Sequence, residues 1–111
     1  PVMSDVRLVL CTFPDLESAR CVTRELVETR MVACVNLIPG VESIYRWQGE
    51  VETSQEVQAV MKTTTAALPE LELKLRTRHP YQVPEIVTLC PEQVSDAYAA
   101  WVSESVLVAD A

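Results

Sequence analysis

Along residues 50–63 apolar and polar positions alternate with a period of two. Val51, Thr53, Gln55, Val57, Ala59, Met61 and Thr63 share one side; Glu50, Glu52, Ser54, Glu56, Gln58, Val60 and Lys62 share the other. That period predicts a β-strand. The preceding stretch, Ala33 to Trp47, is equally rich in β-forming residues and is broken once, at Pro39-Gly40, which fits a bulge or bend. Gln48-Gly49 then supplies a short reversal, with Gly49 free to take positive φ. Residues 33–65 therefore predict one long hairpin. Each arm has about 15 residues and, at roughly 3.3 Å per residue, extends about 50 Å. A compact domain of 111 residues has a radius of gyration near 13 Å, hence a diameter of about 35 Å. Projecting strands expose unpaired edges that a protein covers, twists away or pairs with another chain. Self-association is the first expectation from the pattern.

Elsewhere the elements are shorter. Val6 to Thr12 reads as a buried first strand. Pro14 and Asp15 open a helix in which Leu16, Ala19, Val22 or Thr23, Leu26 and Val27 recur at helical spacing as far as about Arg30. On its outer face Glu17 with Arg20, and Arg24 with Glu28, are spaced as ion pairs but read first as a solvated face. Leu68-Pro69-Glu70 begins a second helix. Leu71, Leu73 and Leu75 alternate like a strand, but the propensities of Leu, Glu, Lys and Arg decide for helix. It ends near Arg78, because His79 precedes Pro80. Ile86 to Cys90 predicts a short strand stopped by Pro91. Ser95 caps a last helix with Tyr98, Trp101, Val102 and Val106 on one stripe. The order is the split β-α-β pattern of an α+β, ferredoxin-like (βαββαβ) sandwich with a C-terminal helix, a single domain over residues 1–111.

Charge narrows the partners. The formal net charge of −7 argues against nucleic acid and anionic membranes as partners and favours cations. No apolar run approaches the ~20 residues that span a bilayer, and the start lacks a basic segment followed by an apolar one. Cys11, Cys21, Cys34 and Cys90 are widely spaced without a Cys-x-x-Cys pair, which favours reduced thiols and a cytoplasmic location.

The densest cluster of polar and aromatic groups is His79-Pro80-Tyr81-Gln82-Val83-Pro84-Glu85. Two prolines stiffen this loop and present imidazole, phenol and carboxylate with little freedom to lose. His79 reads either as a metal ligand or as a structural residue hydrogen-bonded at a helix end. Glu85 reads as a metal ligand, a general base or a paired carboxylate. Cys11 stands just before a helix entry, where a thiolate is favoured, and reads either as a reactive thiol or, as buried free cysteines commonly are, as a structural one; Cys34 and Cys90 lie in apolar runs as core thiols. Tyr45 and Trp47 share one strand face, as sheet packing or as a ligand platform, and Lys62 reads as an anion contact or as the ion-pair partner of Glu85. Sulfur with imidazole suits copper or zinc. No phosphate-binding loop, dinucleotide fingerprint, zinc spacing or nucleophile elbow occurs, so no catalytic residue and no enzyme activity are expected.

Several blocks together resemble the CutA divalent-cation tolerance family: Leu10-Cys11-Thr12 with Pro14-Asp15, Ala33-Cys34-Val35-Asn36, Ser43-Ile44-Tyr45-Arg46-Trp47-Gln48-Gly49, Met61-Lys62-Thr63-Thr64, and His79-Pro80-Tyr81 with Pro84-Glu85. The resemblance covers almost the whole chain. It implies a ferredoxin-like subunit in a tight homotrimer, similar in architecture to PII signalling proteins, and binding of copper or another divalent ion that is not required for folding. Family members with copper ligands use the cysteine at Cys11 and two adjacent histidines, here Arg78 and His79. Arginine cannot ligate, so of these positions the resemblance leaves Cys11 and His79; with Glu85, read above as a metal ligand, they are the candidate metal residues. The alternative is a PII-like regulatory module whose inter-subunit cleft, lined by Tyr45, Trp47, Lys62, Tyr81 and Glu85, takes a small molecule or partner protein.

Overall fold

The computed structural model describes residues 4–107, so the reading of the chain start bears partly on residues outside the described ones. The strands are β1 (Val6–Phe13), β2 (Cys34–Trp47), β3 (Glu50–Thr64) and β4 (Val87–Leu89); the helices are α1 (Leu16–Glu28), α2 (Leu68–Arg78) and α3 (Asp96–Ser105). All pairings are antiparallel, in the order β2-β3-β1-β4. This is the expected ferredoxin-like sheet.

One face of the sheet carries α1 and α2. Val9, Cys11 and Phe13 of β1 and Val57, Ala59 and Met61 of β3 meet Ala19, Val22 and Leu26 of α1 and Leu71 and Leu75 of α2 in the main core. A smaller cluster joins Val6, Ala33 and Ala67 to Val102 of α3 and to Val106 just after it.

The hairpin forms with the predicted irregularity, a register shift between Ile38 and Val41 that places Gly40 at φ 75°. Trp47 pairs with Glu50, leaving Gln48 and Gly49 as a two-residue turn with φ of 50° and 84°. Positive φ at both central residues is the hairpin turn whose twist matches the strands, and it draws Gln48 as well as Gly49 into the left-handed region. The molecule is elongated, 43 Å along its longest axis with a radius of gyration of 14.7 Å. The alternation of β3 reports burial only where helices cover it. Val57, Ala59, Met61 and Thr63 are buried, whereas Val51, on the same side nearer the tip, is 63% exposed.

Three local expectations are corrected. β4 has three residues, all exposed, rather than five. Cys34 and Cys90 are not core thiols: Cys34 is half-buried with its Sγ 3.4 Å from the Tyr98 hydroxyl, and Cys90 is exposed. Cys34 pairs with Lys62 on the sheet face away from α1 and α2, which explains its incomplete cover. Tyr98 and Trp101 are exposed rather than packed with Val102, their rings 5.5 Å apart. Glu17 and Arg24 form no ion pair among the described residues and are exposed, in agreement with the solvated-face reading. Glu25 instead bridges the helices, 2.7 Å from Arg78 and 3.8 Å from Lys74.

Capping fixes both ends of α1. Asp15 accepts the Ser18 N–H at 2.7 Å, and that contact holds its carboxyl below the usual range. At the other end Arg30 takes the left-handed position usual for glycine, at φ 62°, while the Arg30 and Met31 N–H groups donate to Val27 and Leu26. Its guanidinium donates to the Ser105 and Glu104 carbonyls at 3.1 and 2.6 Å, closing the C-terminus of α3. One residue therefore stops two helices.

Candidate functional site

A chain of contacts runs from the core to the surface through the loop after α2. His79 ends α2, its N–H donating to Leu75. Its ring stacks on Phe13, with centroids 4.5 Å apart. Nε2 lies 2.7 Å from the Thr12 carbonyl oxygen, and Nδ1 accepts the Tyr81 N–H at 3.0 Å. An N–H donor on one side and an acceptor on the other define a neutral imidazole with its proton on Nε2. Burial pushes its pKa below the ordinary value, against the opposing pull of the Thr12 carbonyl and Glu56. Both ring nitrogens are thus committed, as in the structural reading of His79.

Cys11 is fully buried in the main core on the same side of the sheet. Burial first, then the negative charges of Glu85 and Glu56, push its thiol up to about 12. That is the reverse of the thiolate expected from its place before α1. The strand points the side chain into the core rather than toward the helix entry.

Beyond His79 the contacts turn polar. The Tyr81 ring lies 5.0 Å from that of His79, and its hydroxyl donates to Glu56 Oε2 at 2.5 Å. Burial and this bond raise the phenol pKa, since a phenolate facing Glu56 loses its donor role. Gln58, two residues along the same side of β3, donates to Glu85 Oε2 at 3.3 Å and to the Cys11 carbonyl at 3.2 Å. Glu56 and Glu85 are therefore gathered around one segment of β3 about 7 Å long.

These groups face an open groove of about 730 Å³. β2 contributes Ser43, Ile44, Tyr45 and Trp47, β3 contributes Glu56 and Gln58, and the loop contributes Tyr81 to Glu85. Tyr45 and Trp47 are about 40% exposed, and the Tyr45 hydroxyl lies 3.2 Å from Ser54 Oγ. Among the described residues no Lys, Arg or His lines the groove. Neither Glu56 nor Glu85 has a cationic partner among the described residues. A smaller gap of about 260 Å³ between α2 and β4 is lined mainly by apolar groups, with Glu72 its single charge.

Of the residues selected from sequence, the groove unites Tyr45, Trp47, Tyr81 and Glu85 within one chain. Lys62 is not among them: it hydrogen-bonds the Asn36 amide oxygen and forms no ion pair with Glu85. Cys11 and His79 lie behind the groove, in the core. Glu56 was missed. Its alternation marked it as facing away from the core, but nothing in the sequence placed Tyr81 beside it. No group of three or more His, Cys, Asp or Glu side chains that could enclose a metal occurs among the described residues. No helix there is long and apolar enough to cross a membrane.

Residues 7–105 match the family model described as CutA1 divalent ion tolerance protein. The divalent-cation tolerance protein CutA of Thermus thermophilus is 48% identical over 98 residues, spanning 88% of this chain and 95% of that protein. The solved structure of the Thermus thermophilus protein superposes with a TM-score of 0.88 over 91% of this chain and 98% of its own, at 46% identity. CutA from Xylella fastidiosa superposes with a TM-score of 0.89 at 39% identity, over 93% of this chain and 99% of its own. Fold, sequence blocks and these likenesses agree, and the chain belongs to the CutA1 divalent ion tolerance family.

Proposed function

We propose that the protein serves divalent-cation tolerance by binding the ion directly and weakly, at the Glu56 and Glu85 carboxylates of the groove. The observation that carries this reading is that pair of carboxylates, reached from the groove and without a cationic partner among the described residues. Carboxylate and amide oxygens suit divalent ions, and for a given oxygen or nitrogen site first-row affinity peaks at copper(II). Copper(II) is therefore the ion expected to bind most tightly. Two protein ligands leave the other positions to water, which favours exchange over capture. The net charge of −7 raises the local cation concentration. Cys11 and His79, the pair implied by family resemblance, fit less well, because copper there needs a buried thiol to ionise and a committed ring nitrogen to let go.

Calorimetric titration with copper(II), against a chelator control, tests the assignment. Saturable binding that is lost in Glu56→Gln/Glu85→Gln and kept in Cys11→Ala supports it. Loss in Cys11→Ala or His79→Gln with retention in the double carboxylate variant overturns it.

The same reading includes a homotrimer. Ile38, Val51, Val87 and Leu89 are between 42% and 63% exposed along strands that end at free edges, apolar surface that a second copy of the chain can cover. Light scattering is expected to give three times the 12.4 kDa chain mass; a 12.4 kDa species at micromolar concentration contradicts assembly.

A second reading, a PII-like regulatory module, is favoured by the size of the groove. At about 730 Å³ it lies within the range of small-molecule sites.

A further inference from the structure

We infer that the groove takes a small organic cation, an alkyl- or arylammonium or a guanidinium, held between Tyr45, Trp47 and Tyr81 and the carboxylates of Glu56 and Glu85. This rests on the second reading above, that the groove holds a small molecule, and gives that molecule its chemistry.

Charge is the first argument. Phosphorylated or carboxylated ligands need basic side chains or aligned backbone N–H donors, and no Lys, Arg or His lines this groove. Lys62, the cation expected there from sequence, is turned to Asn36. Two carboxylates without a cationic partner select the opposite sign.

Shape and surface are the second argument. A metal ion uses the carboxylates but fills little of 730 Å³ and leaves the exposed rings of Tyr45 and Trp47 uncovered. An organic cation uses both. Its charged head meets the negative faces of Tyr and Trp rings and the carboxylates, while its hydrocarbon body lies against Val83 and Pro84. Tyr45 and Trp47 stand at i,i+2 on one side of β2, so the extended strand presents both rings the same way. The Tyr81 bond to Glu56 fixes one ring beside one carboxylate before any ligand arrives.

Calorimetry of the full chain at low salt, with three probes of matched size, tests this: 2-phenylethylammonium, neutral 2-phenylethanol and anionic phenylacetate. The expected result is saturable binding of the ammonium, at least about tenfold weaker binding of the alcohol, and none of the acid. Raising salt weakens the ammonium alone. Glu56→Gln/Glu85→Gln abolishes the preference for ammonium over alcohol, and Trp47→Ala weakens the ammonium by about two- to fivefold. Far-UV circular dichroism and the melting temperature of Trp47→Ala provide the control that the variant is folded. Equal binding of ammonium and alcohol, or preference for the acid, overturns the cation assignment while leaving the groove a small-molecule site. No binding by any probe overturns both.

Discussion

Cys11 on β1 and Glu56 on β3 lie on opposite sides of one sheet and meet opposite fates. The side carrying Cys11, Phe13 and His79 is sealed by α1 and α2: the thiol is held protonated, the imidazole neutral, and both ring nitrogens are bonded. On the other side Glu56 and Glu85 face a groove with no basic side chain. The more reactive residue types thus sit where they cannot react, and the plainer carboxylates sit where a ligand can reach them. Environment outranks residue type.

Substitutions on the sealed side separate the two regions most sharply. Phe13→Ala removes the ring under His79 and is expected to cost about 3–5 kcal/mol, read from the urea midpoint at unchanged slope. A loss below about 1 kcal/mol would mean that the sealed side is not a packed core. Cys11→Ser places a hydroxyl where the thiol has only a marginal contact, 4.0 Å from the Thr12 carbonyl, and is expected to cost about 1–3 kcal/mol. Any loss of copper binding in that variant therefore needs a folding control, which makes Cys11→Ala the cleaner test.

Acidity gives the next effect. His79 is neutral in the fold with its pKa below the ordinary value, so the unfolded chain takes up the proton first as pH falls. The stability linked to His79 is complete above the unfolded pKa near 6.5 and is lost as pH drops from there toward the folded value. Melting temperatures from pH 7.5 to 5 are expected to fall more steeply for the wild type than for His79→Gln. Equal slopes would place the imidazole in water.

The smallest stability effect belongs to the groove. Glu56→Gln and Glu85→Gln keep an acceptor for Tyr81 and Gln58 but lose its charge, and each is expected to cost about 1 kcal/mol while removing cation binding. The contrast with Phe13→Ala is the account in numerical form.

Much of the fold was legible in the sequence because local rules and burial agree there. The alternation of β3, the bulge at Pro39-Gly40, the Asp15 cap and the Pro80 stop each have a local physical cause. Cys34, Cys90 and β4 were misjudged because an apolar run does not say which side of a sheet a helix will cover. The candidate site was half legible. Tyr45, Trp47, Tyr81 and Glu85 were identified, but Glu56 becomes a groove residue only when β3 passes Tyr81, 25 positions away in sequence. Arg30 was read as little more than a helix end, and its grip on the α3 terminus spans 75 positions. Contacts at such separation leave no periodic trace.

Electron paramagnetic resonance of the copper(II)-loaded protein decides between the groove carboxylates and His79 as ligands. With Glu56 and Glu85 as ligands, the spectrum is expected to lack nitrogen hyperfine structure from an imidazole, to be unchanged by His79→Gln, and to revert to free copper in Glu56→Gln/Glu85→Gln. Imidazole hyperfine lines that vanish with His79→Gln would move the ion to the sealed side and contradict the account.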